Sequence, residues 1–310
     1  MKRPLGRALR GLIAATALAA CIGATGAATA SAAPPDCKGK GVPTSKISIQ
    51  LWTFAEYIGF GDDAATIERT REVLGALSEM GYRNVEPFTL SGLSAEEYKA
   101  LLDEYGLKAS ARHVDIGRPE APADFDQIIE DNKTLGIKYF GAGATPIFLS
   151  PPELNYTTEE QWLAYAEYLD ELGAAARKAG QQLFVHNHDV EFEQTFGGQT
   201  VFEILAENTD PRNVVFQLDL YWADNAGVDP LDVIGEYGNR IQLFHVKDAD
   251  EEGNIEIVGE GTLDFPSIFA AAGGSTKYYV VEHDPRFGDP TFDPFEAAEA
   301  GFAYLDCVTF

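Results

Sequence analysis

The sequence predicts an α/β protein of a single domain, in which eight parallel strands and their crossover helices close into a (β/α)₈ barrel. Two observations carry this prediction. Short apolar runs alternate with segments of helical periodicity at intervals of roughly 25 to 45 residues, a spacing typical of parallel strands joined by helices. All five histidines lie at or just past the end of such a run: His113, His186, His188, His245 and His283.

The strand candidates are eight apolar runs in one segment of the chain. They cover residues 47–52, 83–88, 108–113, 138–143, 181–186, 213–219, 240–246 and 278–283. The segment that contains them, about 260 residues, has the usual length of one barrel. A doubly wound open sheet is the alternative, but it usually has a glycine-rich phosphate turn after its first strand. In this chain the first strand candidate is followed by Trp-Thr-Phe-Ala (52–55), which contains no glycine.

The segments between the strands have the spacing and the end signals of helices. The clearest cover residues 65–81, 94–106, 124–136 and 158–180. Ser94 and Thr158 are expected to cap two of them, each followed by acidic residues. Gly106, Gly136 and Gly180 are expected to end three of them, because glycine adopts the left-handed conformation that closes a helix.

The N-terminal residues have the pattern of an export signal. Basic residues at positions 2, 3, 7 and 10 precede an apolar stretch over 12–28 and a small-residue cleavage site, Ala-Ser-Ala, at 30–32. We therefore expect a signal peptide over 1–32, an N-terminal extension over 33–45, a barrel domain over 46–310, and a secreted, extracellular protein. Alternatively, Leu18 to Cys21 resemble a lipobox, in which case Cys21 would anchor the protein to the cell surface through a lipid.

The charge of the chain excludes several partners. Removal of the signal peptide would change the formal charge from −26 to −30. So acidic a surface repels phosphate backbones and anionic lipids, which excludes nucleic acid as a partner. No second stretch is long and apolar enough to span a bilayer, so no membrane association is expected unless Cys21 is lipidated. The sequence specifies no oligomeric state.

Cleavage would leave two cysteines, Cys37 and Cys307, one near each end of the domain. In an exported protein an even number of cysteines permits a disulfide. The two ends of a closed barrel come close together, so these cysteines could be bridged. A loop of this length would stabilise the fold by something near 5 kcal/mol in the chain-entropy description.

Polar residues at the strand ends form a candidate site, because the carboxyl ends of barrel strands meet at one mouth. The residues are Glu86, His113, His186, His188, Asp219, His245, Lys247 and Glu282. His186 and His188 share a face of their strand, with Asn187 opposite. Imidazoles and carboxylates gathered in this way are typical of a divalent-metal site or an acid/base site.

Five motifs, in this order and spacing, resemble a known family. They are VHNHDVEF (185–192), QLDLYWADNAGVDP (217–230), RIQLFHVKDAD (240–250), VGEGTLDF (258–265) and VVEHD (280–284). Together they resemble the xylose isomerase-like TIM barrels, which include sugar isomerases, ketose 3-epimerases, inosose dehydratases and endonuclease IV. Within that family the chain looks like the bacterial sugar phosphate isomerase/epimerase proteins. The resemblance covers essentially the whole mature domain.

The resemblance implies one divalent metal ion (Mn, Mg, Zn or Co), held by His186, Asp219, His245 and Glu282. Many members have glutamate where this chain has His186. In two-base epimerases that glutamate is one of two proton-transferring carboxylates, so the histidine puts a symmetric two-carboxylate epimerisation in doubt. The alternative is that His188 is the ligand and His186 supports its neighbours.

The resemblance also implies the chemistry. A divalent cation chelated by a carbonyl and the neighbouring hydroxyl of a sugar stabilises the enediolate formed when the carbon-bound proton is removed. Glu282 could act as the base, and His188 or His113 could shuttle a proton between oxygens. Lys247 would polarise the carbonyl, or only form a salt bridge with Asp248 or Glu282. The expected substrate-binding residues are Glu86, Asn187, Trp52 and Trp222, of which the tryptophans could equally be packing residues.

The sequence therefore favours an exported, metal-dependent sugar isomerase/epimerase that acts on a small-molecule sugar or keto-sugar. A lyase or hydratase on 3-keto-glycosides or inososes is the alternative, which His186 and the export signal favour. A non-catalytic secreted carbohydrate-binding module is the alternative from another class. The presence of Asp219, His245, Lys247 and Glu282 argues against such a module.

Overall fold

Parallel strands surround the centre of the molecule. The structure is a computed structural model, and it describes residues 41–148 and 154–310. Its strands are β1 Ile47–Ile49, β2 Asn84–Val85, β3 Lys108–Ala109, β4 Ala111–His113, β5 Gly117–Arg118, β6 Ala121–Pro122, β7 Tyr139–Ala142, β8 Gln182–His186, β9 Thr195–Phe196, β10 Gln199–Thr200, β11 Val214–Asp219, β12 Ile241–Val246, β13 Asp248–Ala249, β14 Ile255–Glu256 and β15 Tyr278–Val281. Seven of them form one parallel sheet in the order β1-β15-β12-β11-β8-β7-β4.

The short strand β2 links the two ends of this sheet. It pairs in parallel with β3, which only Ser110 separates from β4. On its other side the Glu86 N–H donates to the Ile49 carbonyl at 2.7 Å. Each of the eight predicted strands therefore contains an observed strand, and the predicted barrel fold is confirmed. The remaining pairs, β5–β6, β9–β10 and β13–β14, are antiparallel hairpins.

Helices connect the strands and cover the outside of the barrel. They are α1 Ala55–Ile58, α2 Ala64–Met80, α3 Ala95–Glu104, α4 Phe125–Leu135, α5 Glu159–Lys178, α6 Val190–Glu193, α7 Val201–Glu207, α8 Leu220–Asn225, α9 Pro230–Tyr237, α10 Phe265–Ala272 and α11 Pro294–Cys307. Ser94 and Thr158 form capping boxes at α3 and α5. Gly106, Gly136 and Gly180 have φ values of 67°, 74° and 81°, so the predicted ends of these helices are confirmed.

Every second residue of a strand faces the inside of the barrel, and these inward residues change from apolar to polar towards the ends of the strands. Val215, Gln217 and Asp219 occupy every second position of β11 and therefore lie on the same face of the strand. Leu243 and His245 are related in the same way along β12. Val215 and Leu243 belong to a small apolar cluster with Ala111, Tyr139 and Phe184. The apolar residues of the opposite faces pack against the helices. An apolar layer therefore lies beneath the polar residues of the strand ends.

The start of the described chain lies beside its last helix. The N–H groups of Gly41 and Val42 donate to the carbonyls of Asp306 and Leu305 at 3.0 and 2.8 Å. Cys307 is disulfide-bonded, and the chain has two other cysteines, at positions 21 and 37. Both of these, the expected signal peptide and most of the expected extension lie outside the described residues. None of the helices that the structure describes is long and apolar enough to cross a membrane.

We expect Cys37 to be the partner of Cys307, because Gly41 and Val42 hold the chain next to the end of α11. Non-reducing peptide mapping of the protein from its natural host should yield a Cys37–Cys307 cross-linked peptide and no free thiol at either position. Mass spectrometry of the mature N-terminus in the same digest separates cleavage after residue 32 from acylation of Cys21. Two free thiols in the exported protein would contradict the pairing.

Candidate active site

His245 binds two carboxylates at the centre of the polar cluster. Its Nδ1 lies 2.8 Å from Glu282 Oε2 and its Nε2 lies 2.8 Å from Glu86 Oε1. Burial lowers the pKa of His245, but the charges of Glu282 and Glu86 raise it to about 10. Without a bound metal, both ring nitrogens therefore carry protons at neutral pH, and the imidazolium donates to both carboxylates. A metal bound at Nδ1 would take the place of the proton there.

Glu86 is fully buried, and protein groups occupy both of its oxygens. Oε1 accepts from Gln50 at 2.7 Å and from His245, and Oε2 accepts from Gln217 at 2.8 Å. Burial raises the pKa of Glu86, but the charges of His113 and His245 lower it to about 2. Glu86 was expected to bind sugar hydroxyls. The structure places it behind His245, where it orients the imidazole.

Lys247 lies among three carboxylates. Its Nζ is 2.9 Å from Glu282 Oε2, 3.0 Å from Asp284 Oδ2 and 3.2 Å from Asp219 Oδ2. Burial lowers the pKa of Lys247, but Asp219 and the other two carboxylates raise it well above its usual value. Lys247 and His245 in turn hold the pKa of Glu282 well below its usual value, although burial raises it.

The cluster contains more carboxylates than cations. Among the described residues, Glu86, Asp219, Glu282 and Asp284 share two permanent cations, His245 and Lys247, and His113, 3.1 Å from Glu86, adds a third when it is protonated. The pKa of Asp219 is raised to about 6, since its burial outweighs the attraction of Lys247 and His245. Burial also raises the pKa of Asp284. An additional positive charge would therefore be stabilised here.

The donor atoms fit a divalent metal. Asp219, His245 and Glu282 offer one ligand atom each within 4.8 Å of one another, and so do His113, His186 and His245. Asp219 Oδ2 is buried and has no hydrogen-bond partner among the described residues. Its 3.2 Å contact with Lys247 Nζ is thus a charge contact without hydrogen-bond geometry. Two carboxylates with imidazole suit zinc, manganese or cobalt, and the carboxylates alone suit magnesium.

The two histidines at and just after the end of β8, His186 and His188, differ in their surroundings. His186 Nδ1 lies 3.1 Å from Gln217 Oε1, and Nε2 lies 4.0 Å from Asp219 Oδ2. Burial, followed by repulsion from His245, lowers the pKa of His186 well below its usual value. If Nδ1 donates to Gln217, the lone pair of Nε2 is free to bind a cation beside Asp219. Among the described residues, His188 belongs to neither group of metal-ligand atoms.

His188 is an uncharged imidazole beside the cavity. Burial and the charge of Lys247 lower its pKa to about 3. Its ring centroid lies 4.9 Å from that of Phe148 and 5.5 Å from that of Trp222, and its Nδ1 has no hydrogen-bond partner among the described residues. A ring with one donor and one free acceptor is suited to moving a proton between two substrate oxygens.

A cavity of about 350 Å³ opens onto the cluster. Its lining includes Trp52, His113, His186, His188 and Glu282. Asn187, expected to bind substrate, is buried, and its amide pairs with the backbone N–H and carbonyl of Asp219 at 3.0 and 3.3 Å. It thereby fixes the end of β11.

Trp222 contacts other members of the site. Its ring lies 5.3 Å from Lys247 Nζ, and its backbone N–H donates to Asp219 Oδ1 at 3.1 Å. It packs against the charged residues, whereas Trp52 lines the cavity. Of the partners expected for Lys247, Glu282 is confirmed. Asp248 instead accepts the N–H groups of Gly259 and Gly261 at 2.9 and 3.2 Å and so anchors that loop.

Several residues of the site were not expected from the sequence. Gln217 joins three predicted residues, since it accepts from His113 at 2.7 Å and contacts His186 and Glu86. It is two residues before Asp219, so the strand period could have shown that it faces the same way. Glu191 is also buried and accepts the His188 N–H at 2.7 Å.

Comparison with known proteins identifies the family of the chain. The family model of the xylose isomerase-like TIM barrel matches residues 74–306, and the chain belongs to this family. It is 33% identical over 174 residues to an inosose dehydratase of Lacticaseibacillus casei, across 49% of this chain and 56% of the relative. The matched part thus spans little more than half the length of the curated relatives.

Solved structures share the fold. A sugar phosphate isomerase/epimerase from Parabacteroides distasonis superimposes with a TM-score of 0.66 and 25% identity, covering 85% of this chain and 94% of that one. The IOLI protein with a bound zinc atom superimposes with a TM-score of 0.60 and 18% identity, covering 84% and 97%. At 18% identity, the similarity to the IOLI protein shows only that the two chains share a fold.

The ligand assignment predicts which variants lose metal. Asp219→Asn and Glu282→Gln should each lower metal content and abolish turnover, because each leaves the divalent charge less compensated. His188→Ala should keep its metal while turnover falls roughly 10²–10⁴-fold, the usual contribution of a positioned acid or base. Elemental analysis of the purified variants measures this, with Glu260→Gln on the exposed loop as control. Metal lost from His188→Ala but kept in His186→Ala would reverse the assignment.

Glu191 predicts a pH dependence of stability. Burial raises its pKa to about 7 despite its bonds to Thr145 and the His188 N–H. Since a raised carboxyl pKa favours the protonated form in the folded state, its contribution to the free energy of unfolding falls as pH rises from 4.5 to 7. Between pH 5 and pH 8, the free energy of unfolding measured in urea should fall by about 2 kcal/mol more in wild type than in Glu191→Gln. A difference independent of pH would contradict the raised pKa.

Proposed function

We propose that the protein is a metal-dependent enzyme that removes a proton from the carbon next to the carbonyl of a sugar or cyclitol, and that it works as an isomerase or epimerase. The observation that carries the proposal is the convergence of Asp219, His245 and Glu282 beside the cationic Lys247 at a sugar-sized cavity. A divalent metal, when bound, would withdraw charge from the carbonyl and make the neighbouring C–H more acidic.

The residues of the chain supply the other parts of the reaction. Glu282 lines the cavity, and Lys247 and His245 keep it ionised at neutral pH. If a metal or substrate draws these contacts away, the carboxylate becomes a stronger base and could accept the carbon-bound proton. Lys247 stays protonated and can stabilise negative charge that develops on a substrate oxygen. His188 is uncharged and can carry a proton from one substrate oxygen to another.

A dehydratase is the second candidate, and the distribution of carboxylates favours it. The carboxylates that line the cavity, Glu282 and Asp284, both follow β15. The ionisable lining residues at the ends of β4 and β8 are His113, His186 and His188. An epimerase with carboxylates on both faces of its sugar is not supported by this arrangement. Elimination needs one base and a proton for the departing hydroxyl. Glu282 could take the proton from carbon, and uncharged His188 could relay that proton to the hydroxyl through its two ring nitrogens. The inosose dehydratases among the relatives agree with this alternative.

Deuterium uptake tests the step that both candidates share. The metal-loaded protein would be incubated in deuterated water with inososes, keto-sugars and 3-keto-glycosides, and the products examined by NMR and mass spectrometry. Deuterium at the carbon next to the carbonyl supports the proposal. A deuterated stereoisomer or positional isomer identifies an isomerase or epimerase, and loss of water identifies a dehydratase.

Two variants with the same chemical change show whether deuterium uptake depends on the candidate site. Glu282→Gln should abolish the exchange, while the same chemical change at exposed Glu260 should leave it unchanged. If the protein binds these compounds but exchanges no deuterium with any of them, the carbohydrate-binding module becomes the better description. Export is a further part of the proposal, supported by the N-terminal pattern of the sequence and by the disulfide of Cys307.

A further inference from the structure

Four aromatic rings lie together at one side of the cavity mouth. We call Trp52, Phe60, Phe88 and Phe287 the aromatic rim. The Trp52 ring centroid lies 5.2 Å from that of Phe88, 5.8 Å from that of Phe60 and 6.3 Å from that of Phe287. The rings come from the segments that follow β1, β2 and β15, so the barrel brings together residues distant in the chain.

The outer half of the aromatic rim is exposed. Phe60 and Phe287 are 66% and 55% accessible to solvent, although their centroids lie only 6.3 Å apart. Single exposed aromatic residues are common, but a contiguous cluster of them marks a binding surface. The aromatic rim is the feature of the candidate site that metal-assisted proton transfer leaves unexplained.

Polar contacts outside the rings hold the two exposed residues in place. The Gly288 N–H donates to Glu56 Oε1 at 2.9 Å, which ties the Phe287 loop to α1. Arg69 Nε donates to the Ile58 carbonyl at 2.8 Å, which holds the chain two residues before Phe60. The backbone beside both rings is therefore held before any ligand arrives, which lowers the entropic cost of binding.

The aromatic rim continues directly from the cavity. Trp52 and Phe88 line the cavity together with His188 and Glu282, whereas Phe60 and Phe287 are not part of its lining. A ligand that fills both must have a polar end at the charged cluster and a flat apolar end at the rim. Since the four side chains contain one polar atom, the indole nitrogen of Trp52, a second sugar ring would find few hydrogen-bond partners there.

From this continuity we infer that the substrate is a keto-sugar glycoside with an aromatic aglycone, whose sugar occupies the cavity and whose aglycone stacks on the aromatic rim. The inference rests on the proposed function and deepens it by naming the substrate class. Aromatic stacking adds to the energy of simple apolar burial, so the aglycone would favour such glycosides over free keto-sugars.

Calorimetric titration of the full-length, metal-loaded protein tests the inference without turnover. The probes are phenyl β-glucoside, methyl β-glucoside and cellobiose, none of which has the ketone needed for reaction. Wild type should bind phenyl glucoside roughly tenfold more tightly than methyl glucoside. In Phe60→Ala/Phe287→Ala this ratio should fall below about threefold, with methyl glucoside affinity unchanged. Phe310→Ala is the control, because Phe310 is 52% exposed but packs on Phe269, away from the rim.

Three results would overturn the inference. They are an absence of preference for the phenyl glucoside in wild type, tighter binding of cellobiose than of phenyl glucoside, and a wild-type dimer that the double variant converts to a monomer. The last would make the aromatic rim a subunit interface. Failure of the proposed function looks different, since deuterium exchange would be absent from every keto-sugar while the preference for phenyl glucoside remained.

Discussion

The contact of His245 with Glu86 and Glu282 is the interaction on which the rest of the site depends. All three groups are buried, and buried charges are stable only when they are paired and hydrogen-bonded. Removing any one of them would leave an uncompensated charge inside the barrel. The same contact orients the imidazole, because Glu86 accepts from Nε2 and leaves Nδ1 on the side of Asp219 and Glu282. The arrangement resembles the carboxylate–histidine pairs that hold metal ligands in other proteins.

A layer of amides separates this charged cluster from the apolar interior of the barrel. Gln217 and Gln50 donate to Glu86, and Gln217 also contacts His113 and His186. Glutamine can donate and accept at once without carrying charge, so it satisfies carboxylates and imidazoles without changing the charge balance. Below this layer the strand interior is apolar, where Val215 and Leu243 exclude water. The low dielectric of such a place strengthens the ionic contacts above it.

The sequence was sufficient for the fold because strand alternation and helix-end signals act locally. Each predicted strand and each predicted helix boundary depends on a few consecutive residues, as at Ser94 or Gly136. The position of ionisable residues at strand ends is also a local feature. From it, Asp219, His245 and Glu282 were correctly predicted to lie together. The partners of these residues could not be predicted in the same way. Gln217 lies inside an apolar run, and its role depends on which strands face each other across the closed barrel.

The roles of Glu86 and Asn187 illustrate the same limit of sequence reasoning. Both follow strands and both are polar, so each was expected to meet the substrate. Whether a strand-end side chain reaches the cavity or turns to its neighbours depends on the stagger of the strands. Glu86 is enclosed by Gln50, Gln217 and His245, and Asn187 pairs with the backbone of Asp219. Strand stagger is a property of the assembled barrel, which no local segment encodes.

The neutral imidazole of His186 limits the negative charge of the whole site. A carboxylate at this position would add another negative charge to a cluster in which burial already raises the pKa of Asp219 to about 6. A neutral imidazole adds a ligand without that charge, so the lysine and one divalent cation can be bound together with Asp219 and Glu282. It also leaves one side of the cavity without a carboxylate. Under the proposed function, Glu282 is then the carboxylate placed to remove the carbon-bound proton, and the histidines of the opposite side are placed to transfer protons between substrate oxygens.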